Sequence, residues 1–160
     1  MHNISMAKLD SIDIRLLELL QRDAQTTAQM LSEVLHLSPS QVGRRRQRLE
    51  MEGYITGTAC KASAQRLGLA VQAFVQIQTV AHAAETHSAI AQLIMSQPEI
   101  TAAWTLTGDA DYLLRVYCAD LSALNQLIQN VLLPHASIGR VQSQVVMDQL
   151  KKDAPLPVFG

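Results

Sequence analysis

Apolar residues recur at helical spacing from Leu9 to Asp23, with Ile12, Leu16, Leu19 and Leu20 on one face. Asp10 is a suitable N-cap, and Asp13 three residues on makes a carboxylate form of the capping box that also suits the positive end of the helix dipole. Ala24-Gln25-Thr26-Thr27 breaks the pattern. Thr27 then caps a second helix running to His36, with Met30, Leu31 and Leu35 inward. His36 and Leu37 form a tight turn, and histidine tolerates positive φ better than most residues. Ser38 caps a third helix, Pro39 suits its first position, Val42 and Leu49 face in, and Gly53 stops it after Glu52. Three short helices with a tight turn before the third predict a helix-turn-helix. Tyr54 to Ala62 reads as extended, through Ile55, Thr56 and Thr58, as a wing or linker strand.

A second texture begins at Leu69, after a turn near Gln65-Arg66-Leu67-Gly68. Val71, Ala73, Val75 and Ile77 alternate with Gln72, Phe74, Gln76 and Gln78, the period of a half-buried strand. His82 to Gln97 returns to helical spacing through Ile90, Leu93 and Ile94, and Pro98 ends it. Ile100 to Thr107 and Tyr112 to Cys118 are two strands joined by Gly108-Asp109-Ala110-Asp111, a hairpin. Asp120 caps a further helix bearing Leu124, Leu127, Ile128 and Val131. Ile138 to Leu150 supplies a last strand before a tail containing Pro155-Leu156-Pro157. The order β-α-β-β-α-β predicts a ferredoxin-like arrangement. Its helices cover one sheet face, so the Phe74-containing face needs a partner, which a dimer would supply. The chain is therefore expected to be α+β. A winged helix-turn-helix occupies residues 1–60, a linker 61–68, and a ferredoxin-like domain 69–160.

Composition narrows the function. With 160 residues and 48% hydrophobic content, the chain has material for a folded core in one domain or two small ones. No apolar run approaches the roughly 18 residues of a membrane span, and the first residues lack a basic-then-apolar signal pattern, so a cytoplasmic location with no membrane partner is expected. Cys60 and Cys118 have no CxxC spacing and suit packing in a reducing compartment. The formal net charge of −1 argues against a sequence-blind polyanion binder. Charge is uneven, however, because four arginines fall within positions 44–48.

That cluster sits on the third helix. Ser38, Ser40 and Gln41 place short hydroxyl and amide groups at its start, where they can approach base edges. Arg44, Arg45 and Arg48 further on can meet phosphate or guanine, which makes double-stranded DNA the expected partner. A surface helix with a solvated charge run is the plainer alternative. In Thr107-Gly108-Asp109-Ala110-Asp111, backbone N–H groups can hold a carboxylate while Asp109 or Asp111 pairs an ammonium group, as an amino acid requires; the same residues are ordinary choices for an Asp-rich hairpin turn. His82 and His87 are five apart, off one helical face, so no metal site is expected. No catalytic signature or cofactor motif is present. Trp104 is expected to pack in the core.

With these pieces in place the chain resembles the Lrp/AsnC family, the leucine-responsive and asparagine-responsive transcriptional regulators. The matching residues are Leu9-Asp10-x-x-Asp13, Leu37-Ser38-Pro39-Ser40, Arg45, Arg48-Leu49-Glu50-x-x-Gly53-Tyr54-Ile55-x-Gly57 and Leu67-Gly68. In the second half they are Thr107-Gly108-Asp109-Ala110-Asp111-Tyr112-Leu113-Leu114 and Leu156-Pro157. The resemblance implies a DNA-binding transcriptional regulator responding to an amino acid or related metabolite, not an enzyme. It further implies a homodimer assembling to a tetramer or octamer, recognition by Ser38, Ser40, Gln41, Arg45 and Arg48, and an effector pocket at Thr107, Gly108, Asp109 and Asp111.

Two positions depart from the family pattern. Arg46 stands where an aliphatic residue is usual, so either the helix is rotated or Arg46 snorkels, its stem packed and its head in water. Gly43 replaces a larger residue, as a site of close DNA approach or as a tolerated weakness. Two rival functions remain: a tetrapyrrole (siroheme) decarboxylase-like enzyme on the same architecture, and a metabolite-sensing assembly module without DNA binding. The first would need convergent His and Arg groups, and the second half offers only the widely spaced Arg66, Arg115 and Arg140. The arginine cluster argues against the second.

Overall fold

The computed structural model describes residues 9–159. The first eight residues, where no signal pattern was read, lie outside that range. Two compact units make up the chain, one reaching Cys60 and including the tail from Lys151, the other running from Lys61 to Leu150.

The first unit holds α1 (Ser11–Arg22), α2 (Ala28–Leu35) and α3 (Pro39–Met51). Each start is capped as its sequence predicts. The Asp13 N–H donates to the Asp10 carboxylate at 2.8 Å, and Met30 N–H donates to the Thr27 hydroxyl at 3.2 Å. Ser38 and Gln41 form a reciprocal capping box, with Pro39 in the first turn. His36 takes the left-handed conformation (φ 54°, ψ 43°) that lets the chain reverse between α2 and α3. Leu16, Leu17, Leu20, Leu31, Leu35, Val42 and Leu49 form the buried core. Met30, predicted to face inward, is exposed instead, because α2 turns Leu31 and Leu35 to the core.

Tyr54 to Ala62 forms no regular strand, so the helix-turn-helix carries no β-wing among the described residues. Gly57, Ala59 and Ala62 are poor strand formers, and a strand without a partner is unstable in water. The tail, placed above with the second domain by chain order, packs in this unit. Gln21 grips Leu156 by accepting from its N–H at 2.7 Å and donating to its carbonyl at 3.1 Å, and Val158 joins the apolar cluster.

The second unit holds β1 (Val71–Thr79), α4 (Ala84–Ser96), β2 (Ile100–Thr105), β3 (Tyr112–Cys118), α5 (Leu121–Gln126) and β4 (Ile138–Val145). A π-helical stretch over Leu127–Leu132 extends α5. The strands form one sheet in the order β2-β3-β1-β4, every neighbouring pair antiparallel. This is the ferredoxin-like order. Ala73, Val75, Ile77, Leu114 and Val116 pack with Ile90, Leu124, Leu127 and Leu132 in the core. The alternate positions Phe74, Gln76 and Gln78 are registered against Gln144, Gln142 and Arg140 of β4, so these side chains share the open sheet face. Trp104, expected in the core, lies opposite Leu113 on that face and is 45% exposed. The predicted last strand stops at Val145, short of Leu150.

Gly43 lies inside α3, where an added Cβ would meet no atom within 4 Å. Gly43→Ala is expected to raise the unfolding free energy by about 1 kcal/mol in urea titrations, since alanine loses less backbone entropy in a helix.

Candidate nucleic-acid interface and effector cleft

The start of α3 is a small polar network. The Ser38 hydroxyl lies 3.1 Å from the Ser40 hydroxyl and donates to Gln41 Oε1 at 3.1 Å, and the Ser38 N–H donates to the same oxygen at 2.9 Å. All three side chains remain exposed. Gln41 therefore spends its carbonyl oxygen on the cap and keeps its amide N–H groups for another partner.

The arginines differ sharply from one another. Asp13 of α1 is 1% exposed, yet it carries a carboxylate. Arg45 Nη1 donates to its Oδ1 at 2.7 Å and to Asp10 Oδ2 at 2.6 Å, and Arg48 Nη2 donates to Asp13 Oδ2. A buried carboxylate needs such partners, because leaving it unpaired costs several kcal/mol. The backbone N–H of Asp13, and after it Arg45, holds the Asp10 carboxyl below its ordinary value, while Asp10 and Asp13 raise the Arg45 guanidinium. Arg48 Nε also lies 3.9 Å from Glu52 Oε2, an ion-pair separation too long for a hydrogen bond. Arg46 snorkels: its Nε pairs with Glu50 at 3.1 Å, and it borders a cavity of about 370 Å³ lined also by Leu17, Leu20, Tyr54 and Ile55. Arg44 is exposed and forms no ion pair among the described residues. The sequence places four arginines together; the fold ties three of them to carboxylates.

In the second unit the hairpin turn is pinned to β1. Leu106 N–H donates to the Asp111 carbonyl at 2.8 Å, and Asp111 N–H donates to the Ile77 carbonyl at 2.9 Å. Asp111 Oδ2 accepts from the Thr79 N–H at 2.7 Å and from its hydroxyl at 2.8 Å, while Oδ1 lies 3.5 Å from His82 Nδ1. These contacts, the Thr79 N–H first, hold the Asp111 carboxyl below the usual range. Next to it, burial and then the Asp111 charge push the Tyr112 hydroxyl up, and that hydroxyl shares a 2.7 Å hydrogen bond with His87 Nδ1. Thr107, Gly108 and Asp109 stand exposed, with Gly108 at φ 122°, a backbone state that favours glycine.

Two cavities flank this turn. One, of about 250 Å³, is bordered by Thr79, His82, Thr86, His87 and Asp111. The other, of about 210 Å³, is lined by Gln76, Gln78, Arg140, Gln142, Asp109 and Ala110. Asp109 and Asp111 are legible in the sequence as turn acids, whereas Gln76, Gln78, Arg140 and Gln142 are not legible as neighbours of that turn. The alternation of β1 marks its two glutamines as one-faced. Nothing local signals that β4 brings Arg140 beside them.

A helix-turn-helix joined to a ferredoxin-like domain with a polar cleft at its hairpin defines a DNA-binding transcriptional regulator with a ligand-binding domain. The AsnC-type helix-turn-helix domain matches residues 9–50, and the Lrp/AsnC ligand binding domain matches residues 72–156. The chain belongs to the Lrp/AsnC family of transcriptional regulators. It is 31% identical over 150 residues to the DNA-binding transcriptional activator DecR of Escherichia coli, covering 94% of this chain and 99% of that protein. It is 33% identical over 151 residues to the glutamate uptake regulatory protein of Zymomonas mobilis, covering 94% of this chain and 92% of that one. Among solved structures, a transcriptional regulator of Neisseria meningitidis in complex with L-Met superposes with a TM-score of 0.90 at 32% identity, covering 94% of this chain and 97% of that chain. No helix among the described residues is long and apolar enough to cross a membrane.

Asp111 supplies a pH prediction. Its lowered carboxyl means that its contribution to stability is present above the unfolded value near 3.9 and is lost as pH falls through the lower folded value. Asp111→Asn is therefore expected to be less stable than the parent in urea at pH 7, with the gap closing as the pH is taken below about 4.

Proposed function

We propose that this regulator binds an amino acid at the Gly108–Asp111 turn, works as a dimer or an assembly of dimers in the cytoplasm, and reads DNA with the exposed side of α3. The observation that carries the effector reading is a cleft bordered by the Asp109 carboxylate and the Arg140 guanidinium, neither of which forms an ion pair among the described residues. Asp109 receives the α-ammonium group, and the exposed backbone at Thr107 and Gly108 receives the α-carboxylate. Asp111 acts one step back, by anchoring the turn on Thr79. The relatives bear regulator names, and the L-Met complex of the Neisseria protein supports an amino-acid ligand. These comparisons favour a regulator over the enzyme reading.

On the DNA side, Arg44, which forms no ion pair among the described residues, offers its guanidinium to phosphate or guanine, with Ser38, Ser40 and Gln41 at the helix start. Arg45 and Arg48 have divided roles. Each holds Asp13 through one terminal nitrogen and offers the rest of the guanidinium to the phosphate backbone. Two such helices in a dimer would enter successive major grooves about one helical turn apart. The dimer surface is the open sheet face, where Trp104 lies across from Leu113, Leu113 across from Gln76, and Phe74 across from Arg115. Effector binding then favours one packing of dimers over another, since a ligand acts only through differential affinity for two states.

Arg44→Ala is expected to weaken operator binding and reduce the slope of log K against log salt by about 1, with an unchanged melting temperature. Arg45→Ala is expected to lower DNA affinity and also to cost roughly 1–3 kcal/mol of stability, because Asp13 loses a partner. Measuring both variants by fluorescence anisotropy and urea denaturation separates the roles; an equal stability loss in both would refute the division. Phe74→Glu is expected to sediment as a smaller species than the parent. Unchanged sedimentation would place the dimer surface elsewhere.

A further inference from the structure

We propose that the C-terminal tail is a releasable strap that restricts how far the DNA-binding unit can turn, and so makes the protein discriminate the spacing between two DNA half-sites. This rests on the reading of α3 as the DNA-reading helix of a dimer. The tail's sequence prepares it for docking. Pro155 and Pro157 flank Leu156 and favour extended backbone, so little conformational freedom is lost when the tail is held. Neither proline has an N–H, which leaves Leu156 as the one backbone donor of that tripeptide. Gln21, in the last turn of α1, accepts from that N–H at 2.7 Å and donates its own amide N–H to the Leu156 carbonyl at 3.1 Å. One side-chain amide thus pairs with the tail as a neighbouring strand would.

The hold is narrow. Beyond those hydrogen bonds, Val158 packs against the apolar cluster of the same unit, while the Leu156 side chain is 75% exposed. Two cavities border the tail, the one of about 370 Å³ beside Leu17, Leu20 and Tyr54 and another of about 310 Å³ beside Glu18 and Arg22. Such voids mean few van der Waals partners, so the tail can leave without unmaking the core. The consequence follows from chain connectivity. The chain passes out of the first unit after Cys60 and comes back to it at Lys151. With the tail released, one connection joins the DNA-binding unit to the rest of the chain, and relative motion is the default for domains so joined. With the tail docked there are two, and the return segment Lys151–Pro155 can span at most about 20 Å. A unit held twice keeps α3 within a narrower range of orientations. That range matters because the two recognition helices of a dimer must meet their half-sites together. Inserting two base pairs between half-sites turns one by roughly 70° relative to the other, a turn that a strapped unit cannot follow.

The test compares the parent with Gln21→Ala and Leu156→Pro, each as the full chain. Both positions are exposed, and the second substitution removes the N–H that Gln21 accepts while keeping the tail extended; circular dichroism verifies the fold of each. Hydrogen exchange of the tail amides reports release, expected to be about tenfold faster in both variants. The DNA probes are a duplex selected by the parent from a random library and the same duplex with two base pairs inserted between its half-sites, titrated by fluorescence anisotropy. The parent is expected to lose at least about tenfold in affinity on insertion and each variant less than about threefold, with the original duplex bound within about threefold of the parent. Equal losses on insertion in parent and variants overturn the restriction. Tail amides that exchange no faster in either variant overturn the strap itself. Variants that no longer bind the original duplex overturn its release, by making the tail an integral part of the DNA-binding fold. Failure of the parent to select any duplex refutes the DNA-binding reading, and the strap's role with it.

Discussion

The buried carboxylate of Asp13 is the constraint on which the DNA-binding unit turns. A charge at 1% exposure is tolerable only with close counter-charges, and here these come from α3, thirty-two and thirty-five residues away. Two guanidinium groups thereby hold α3 against the start of α1. Apolar packing of Val42 and Leu49 fixes how deep the helix lies. The directional bonds from Arg45 and Arg48 to Asp13 fix its rotation, which apolar contacts leave loose. Rotation decides which residues of a recognition helix face outward, so the ion pairs set the positions of Ser40, Gln41 and Arg44. Arg46 fits the same orientation, since it borders the cavity beside Leu17 and Leu20 while its Nε pairs with Glu50.

The second unit uses the same device at smaller scale. Asp111 gives one carboxylate oxygen to both donors of Thr79, and its N–H to Ile77. The turn is thus fixed at its far end, while Thr107, Gly108 and Asp109 are left exposed. In both units, then, a carboxylate is committed to internal geometry, and residues near those it holds remain exposed. Such an arrangement limits the reorganisation a site must undergo when its partner arrives, which is the general advantage of preorganisation.

What the sequence discloses is what short-range physics controls. Caps depend on three or four consecutive residues, and Asp10, Thr27, Ser38 and Asp120 cap as read. The left-handed His36 and the alternation of β1 are equally local. The misreadings arise where a distant segment decides. Asp13 was legible as an N-terminal acid but not as the partner of Arg45 and Arg48, because nothing in its neighbourhood announces α3. Trp104 reads as core by type, yet the strand order turns it to the open face. The expected wing lacks a pairing strand, and the tail's hold on Gln21 spans 135 positions. Arg140 and Gln142 enter the cleft only through the β1–β4 register, which crosses most of the second unit.

The internal pairing of the arginines also bears on how this protein distinguishes DNA sequences. Arg44, Arg45, Arg46 and Arg48 would by themselves form a strong basic patch. Asp10, Asp13, Glu50 and Glu52 stand at ion-pair distances from Arg45, Arg46 and Arg48, so the local field is weaker than the arginine count suggests. The whole chain, with a net charge of −1, adds no long-range attraction for phosphate. Sequence-blind affinity rises with the number of phosphates neutralised, and arginines already paired with carboxylates add less to it. Specific affinity, in general, comes instead from short contacts made by an oriented helix. A regulator that must leave most of the chromosome alone gains more from that orientation than from added charge. Of the carboxylates that neutralise α3, Asp10 and Asp13 also orient it.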